Sequence, residues 1–430
     1  MALDIVARGL AAAEIARQKR LRILNSLRAS MGRTGLQPLE LASALPAIGA
    51  GTAATAIAAG TTWQVSNSSG PLHAGKYTFV AANWKNIANT FPNTEYYRGE
   101  VCRQGNGTDP TTNPVYAGRV RFALDAPSFE IYVQTALPGS GNGFRLKVDG
   151  KYAKAGVLGL DATNGAFRFI PVTWGDGSAA NRKVRHYELE FYAVGAFCGI
   201  RTTNLYKPSP WPQPDGLRVL IHGDSMVANV VDSGDRDATL YPAQGYLLAD
   251  LLGQADTWAS GTGGAGWLAP AVHNQSWFND RVAVDVVANA PDVIIELGGT
   301  NDAAVSPSEA IERAAVQAWL DTVIAAKPET IIFMSGPIAS GQPAAIHTTI
   351  MNAKLAAAAS YPRNIGFIDN LTDSWIFGTG RQGTATSDGN RDWVIGTDNA
   401  HPTMEGHRYI ASRVARGVAR ALPGLIAAQG

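Results

Sequence analysis

The chain has little cysteine, little charge and no long apolar run. Only two of its 430 residues are cysteines, Cys102 and Cys198. That is too few for a disulfide framework, and because one bridge or two thiols fit equally, the redox compartment stays open. Charged residues are 17%, which excludes a disordered acidic or basic protein. Lys+Arg 36 against Asp+Glu 35 leaves a net charge of +1, without the basic excess of a nucleic-acid binder. No apolar run reaches about 18 residues, so no transmembrane helix and no membrane partner are expected. A secretory signal is not expected either. Asp4 stands where a positive start belongs, and the Ala/Gly stretch at 41–60 comes late and is broken by Pro46. There is no HExxH, cysteine cluster or GxxxxGK[ST] loop, and His401 and His407 are badly spaced for a metal. No metal and no other cofactor is expected.

Glycine (46) and proline (23) are plentiful, as in chains rich in turns and loops. Residues 1–62 read as a helix followed by a small, loose segment (ASALPAIGAGTAATAIAAGTT, 42–62) with a linker's composition. The cluster Arg17, Lys19, Arg20, Arg22 reads as the solvated face of that helix rather than a nucleic-acid patch. Residues 63–212 alternate apolar and polar residues in short runs such as RVRFALD (119–125), SFEIYVQT (128–135) and VRHYELEFYAV (184–194). Turn residues separate the runs, which predicts an antiparallel β-sandwich. KPSPWPQPDG (207–216) reads as the interdomain linker. From 213 to 430 strands such as LRVLIH (217–222), DVIIELGG (292–299), TIIFMSGPI (330–338) and NIGFID (364–369) alternate with helices. The fold class is therefore α/β with a mainly parallel sheet. Helices are expected over 241–253, with Gly253 as C-cap, and over 306–326, opened by a capping box of Ser306 and Glu309.

In an open α/β sheet the working groups lie beyond the carboxyl ends of the strands. Those positions hold Gly223-Asp224-Ser225, the Gly-rich run Ala259 to Gly264, Gly299-Thr300-Asn301-Asp302 and, before the last helix, Asp398-Asn399-Ala400-His401-Pro402. Together they provide a nucleophile, a base, an orienting carboxylate and oxyanion donors. His222, next to the first motif on its strand, reads as a packing residue. These blocks resemble, in order and placement, those of the SGNH (GDSL-type) hydrolases over roughly residues 216–425.

The resemblance implies a flavodoxin-like three-layer domain and acyl transfer. Ser225 would be the nucleophile, His401 the general base and acid, and Asp398 the group that orients His401. The oxyanion hole would be formed by the N–H groups of Ser225 and Gly264 and the amide of Asn301, while Asp224 and Asp302 would brace the loops. Gly263 is a close alternative to Gly264, because Ala259 replaces the usual Asn of that block. A jelly-roll-like sandwich before such a domain resembles some carbohydrate acetyl esterases. The expected function is therefore carbohydrate O-acetyl esterase, with acetylated carbohydrate or another small ester as substrate. Among Trp258, Trp267, Trp277, Trp375 and Trp393, Trp267 is assigned to substrate binding because it follows the Gly-rich turn. The alternatives are a general short-chain carboxylesterase or lipase, and a non-catalytic sugar-binding module. The N-terminal segment resembles the openings of phage tail and other virion-attached proteins, which implies an extracellular or virion-borne homo-oligomer, a trimer.

Overall fold

In the middle of the chain, period-two patterning decides which face each side chain takes. The computed structural model describes residues 2–34, 41–65, 74–80, 83–88, 95–101, 115–135, 143–154, 158–159, 166–193, 195–211, 216–227, 243–261, 263–269 and 278–430. The strand Val115–Leu124 pairs antiparallel with Arg185–Ala193, which pairs with Gly143–Val148. Phe167–Thr173, Ser128–Thr135 and Gly195–Thr203 pair in the same sense. Val120, Phe122, Leu146, Leu189 and Phe191 from the first group share one buried cluster with Phe129, Ile131, Ile170 and Ile200 from the second. Two layers therefore enclose one core, as a β-sandwich requires.

The alternate residues of the first group are charged, and they are buried too. Arg119 lies opposite Glu190 and Arg121 opposite Glu188, with Arg145 and Lys147 opposite the same two glutamates on the other side. This ladder meets Tyr246 and Asp250 of the C-terminal half.

Segment 42–62 is not a free linker. Ala47–Ile48 and Gly60–Gln64 add strands to the sheet, and Thr52 bridges Phe169. Its small residues allow close backbone approach: a Cβ on Gly49 would sit 2.7 Å from Pro171 Cγ, and one on Gly60 would strike the Thr202 carbonyl.

The C-terminal half builds five parallel strands in the order Thr257–Gly261, Val219–Gly223, Val293–Glu296, Ile331–Ser335, Ile365–Ile368. This is the 2-1-3-4-5 order of flavodoxin-like sheets. Among the described residues the α-helices are α1 (Ala2–Thr34), α2 (Ala243–Leu252), α3 (Phe278–Arg281), α4 (Asp302–Val305), α5 (Glu309–Ala326), α6 (Ala345–Ala358), α7 (Arg391–Val394) and α8 (Met404–Ala427). On one face Val219, Ile221, Val293, Ile295 and Phe333 pack with Leu24 and Leu27 of α1, Leu248 of α2 and Val414 of α8. On the other, Leu220, Ile294, Ile332 and Met334 pack with Trp319 and Val323 of α5 and Ala357 of α6. Helix α1 is thus part of this domain, and within its basic cluster Arg20 is buried, donating to Gln429 Oε1 at 2.8 Å and to the Pro328 carbonyl. Among the described residues no helix is long and apolar enough to cross a membrane.

Helix α2 ends at Gly253, whose φ of +66° suits a glycine C-cap. Helix α5 starts later than the sequence predicts. Ser308, not Ser306, is its N-cap, accepting from Ile311 N–H, while Ser306 takes the left-handed conformation that ends α4. The insertion of α4 uses Ser306 as a stop, which leaves the cap to the next serine.

Because segment 42–62 packs against the sheet, Gly60→Ala is expected to destabilise the fold by roughly 1–3 kcal/mol through overpacking. Urea unfolding of wild type and variant measures this, and a linker would show no change.

Candidate active site

The strand order reverses between Val219–Gly223 and Val293–Glu296, where an open sheet leaves its crevice. Ser225 follows the first of these strands by two residues, and Asn301 follows the second by five. Asp224, fully buried behind Ser225, accepts the Met226 N–H at 2.9 Å. Asn301 Nδ2 donates to Ala265 O at 3.0 Å, and Asp302 accepts the N–H groups of Trp267, Leu268 and Ala269 at 3.1, 2.8 and 2.7 Å. The Gly264 loop is thereby tied to the Asn301 loop, and Gly264 itself has φ +75°, which favours glycine. Ser225, Gly264 and Asn301 are all half-buried and reach solvent, while Asp224 and Asp302 behind them do not. Asn301 has two amide hydrogens, so one remains for a ligand.

Asp398 and His401 form a second unit. His401 Nδ1 donates to Asp398 Oδ2 at 2.6 Å, which leaves Nε2 as the basic nitrogen. The other carboxylate oxygen accepts the N–H groups of Ala400 and His401. Partial burial works to raise Asp398, but these two N–H groups and the imidazole together hold it below the ordinary carboxylate value. The turn between them needs Asn399 at φ +67°, and Arg391 fixes that residue through its side chain at 2.7 Å. Helix α8 then starts on Thr403, which accepts the Gly406 N–H and donates to the Trp393 carbonyl. Met226 and Val227, just after Ser225, lie in the same apolar cluster as Val394 and Ile395, which lead into the His401 turn. No hydrogen bond joins Ser225 to His401 among the described residues; unliganded sites often tighten such contacts only with substrate.

Trp267 is not a substrate platform. Its ring is 2% exposed, set edge-on to Phe278 and under the Lys354 ammonium at 4.7 Å, so the turn after Gly264 folds it into the domain. The exposed tryptophan beside the His401 turn is Trp393, 46% exposed and edge-on to Tyr409. Trp277 and Cys102 lie outside the described residues, and Cys198 is buried against Tyr132, Phe167 and Phe169. His222 is buried between Phe278 and Trp319, and burial, with Arg281 and Lys354 nearby, pushes its pKa down to about 3. It packs rather than titrates at neutral pH. Among the described residues Glu188, Glu190 and Asp250 could meet a metal, but Arg119, Arg145 and Lys147 already neutralise them.

Sequence reasoning missed the polar set beneath the loops: Glu296, Glu312 and Lys354, all fully buried. Each lies in a stretch that reads as ordinary strand or helix, and no local motif marks it. Lys354 Nζ is 2.7 Å from Glu296 Oε2 and donates to Gly298 O at 2.8 Å. Burial pushes Asp224 up to about 6, Glu296 to about 7 and Glu312 to about 8, with Asp302 adding to the effect on Asp224 and Glu312.

Residues 221–409 match the family model described as GDSL-like Lipase/Acylhydrolase. No curated protein matches the chain in sequence. Among solved structures, a family two carbohydrate esterase from Clostridium thermocellum in complex with cellohexaose aligns with TM-score 0.53 and 15% identity, over 81% of this chain and 100% of that one. The salicylyl-acyltransferase SsfX3 from a tetracycline biosynthetic pathway aligns with TM-score 0.52 and 14% identity, over 86% and 98%. An acetyl xylan esterase from the rumen bacterium Butyrivibrio proteoclasticus aligns with TM-score 0.50 and 14% identity, over 80% and 100%. At these identities the likeness is one of fold, and it extends across the β domain as well as the parallel sheet.

Glu312 provides a test of the buried acids. Its oxygens have no hydrogen-bond partner, and its pKa rises from an unfolded 4.5 to about 8. A raised acid favours the folded state below its unfolded pKa, and that advantage is lost as pH climbs to the folded value. Glu312→Gln abolishes this titration, so the variant gains on wild type by roughly 3 kcal/mol between pH 6 and pH 9. Urea unfolding at the two pH values measures the gain.

Proposed function

With residues 221–409 forming a GDSL-like lipase/acylhydrolase domain, the chain is an ester hydrolase of the SGNH type, and we propose that it removes O-acetyl groups from carbohydrate by a Ser-His-Asp mechanism. The observation that carries the mechanism is the His401–Asp398 pair at 2.6 Å, on the turn that leads into α8. In this reading Ser225 Oγ attacks the acetyl carbonyl while His401 Nε2 takes its proton. Asp398 holds the Nδ1–H tautomer and stabilises the imidazolium. The N–H groups of Ser225 and Gly264 and the Asn301 amide receive the oxyanion. The C–O bond to the sugar then breaks as His401 returns the proton to the leaving hydroxyl. Water, activated by His401, releases acetate and restores Ser225.

The carbohydrate assignment draws on the two esterases of like fold and on Trp393, an exposed ring beside the His401 turn that can stack on a sugar face. Virion attachment and a trimeric state belong to the same proposal. Helix α1 leaves Leu10 and Ile15 exposed at 68% and 57%, apolar groups that assembly would cover.

The test is acetate release from acetylated polysaccharide beside hydrolysis of a short-chain nitrophenyl ester. Ser225→Ala is expected to abolish both, and Asn301→Ala to lower kcat by about 10²–10³. Trp393→Ala is expected to weaken the polymer reaction alone. Activity surviving in Ser225→Ala would reject the nucleophile, and wild type acting only on the nitrophenyl ester would favour a general carboxylesterase. Light scattering is expected to give the mass of a trimer; a monomer would reject assembly through this chain.

A further inference from the structure

Lys354 sits on α6, outside every motif that carries the proposed chemistry, yet its ammonium reaches the loop that presents Asn301. It donates to the Gly298 carbonyl at 2.8 Å and pairs with Glu296 at 2.7 Å, and both side chains are 0% exposed. Glu296 accepts the Gly298 N–H at 2.6 Å, so the two charges meet at one glycine. Gly298 admits no side chain, since a Cβ there would strike the Phe278 ring, and Gly299 holds φ +107°. Two residues further on is Asn301.

Stability alone gives little reason for this pair. Replacing a buried ion pair by apolar residues of similar volume is often neutral or stabilising. Lys354 also faces acids other than Glu296. Asp224, Asp302 and Glu312 all interact with it electrostatically, and His222 lies within its field together with Arg281. Two of these carboxyls flank Ser225 and Asn301 directly. One buried cation thus faces the acids that brace both loops.

We infer that Lys354, with Glu296, is a positioning pair that holds the 297–301 loop so that Asn301 meets the oxyanion. This rests on Asn301 as the oxyanion donor of the proposed esterase. Misplacement of a donor by about 1 Å can cost 10²-fold in rate, so the pair acts through geometry and touches no substrate.

Kinetics on the nitrophenyl ester with the full chain test this in a double-mutant cycle. Lys354→Met is expected to lower kcat at least tenfold with KM within twofold. In an Asn301→Ala background the same substitution is expected to cost less than threefold, because the donor it positions is gone. A general structural role would give the same factor in both backgrounds, and that result, or an unchanged kcat in folded Lys354→Met, overturns the inference. If circular dichroism shows Lys354→Met unfolded, Lys354→Met/Glu296→Gln takes its place, with an amide oxygen still able to accept from Gly298, and the same outcomes decide. Ser225→Ala in the same assay separates the two readings. If it stays active the esterase mechanism fails, whereas an inactive Ser225→Ala beside an unaffected Lys354 variant rejects only the positioning pair.

Discussion

Loops that leave the carboxyl edge of a parallel sheet lose their ladder partners, and their backbone N–H groups must be satisfied by something else. Here carboxylates do it. Asp302 takes three N–H groups of the Trp267–Ala269 turn, and Asp224 takes that of Met226. Because Asp302 reaches from its own loop to the next, satisfying the backbone also ties the Gly264 loop to the Asn301 loop. Glu296 and Lys354 do the same for Gly298. The cost is several buried acids crowded together, which is why their pKa values rise.

The β domain is joined to this half by a second set of buried charges. The outward residues of three strands form a ladder of Arg119, Arg121, Arg145 and Lys147 against Glu188 and Glu190, completed by Asp250 of α2. Tyr246 of the same helix hydrogen-bonds the carbonyls of Gly118 and Phe191. Desolvated pairs of this kind work only when every partner is in place, so they favour one docking geometry over others. Helix α1 and segment 42–62 tie the halves further, the helix on the hydrolase side and the segment on the sandwich.

Where composition and structure part, the cause is a longer-range contact. Small residues in 42–62 read as looseness, but Gly49 and Gly60 are small because a neighbouring strand lies against them. Trp267 reads as a surface ring from its place after a turn, yet the turn directs it into a pocket of Phe278 and Lys354. Ser306 carries a capping signature, but α4 needs it as a stop. Each local signal was sound as chemistry and was overruled by a partner distant in the chain.

By itself the sequence determined the α/β class, the strands and most helices, because periodicity is a local property that burial then obeys. It also determined the residue types at each strand end, including Ser225, Asn301 and the Asp398–His401 turn, whose three-residue spacing already lets the side chains meet. Only the tertiary structure decided which strands adjoin, and hence that the loops carrying Ser225 and Asn301 leave neighbouring strands. It alone revealed Glu296, Glu312 and Lys354, since a buried polar group is recognised by its partners in space rather than by its neighbours in sequence.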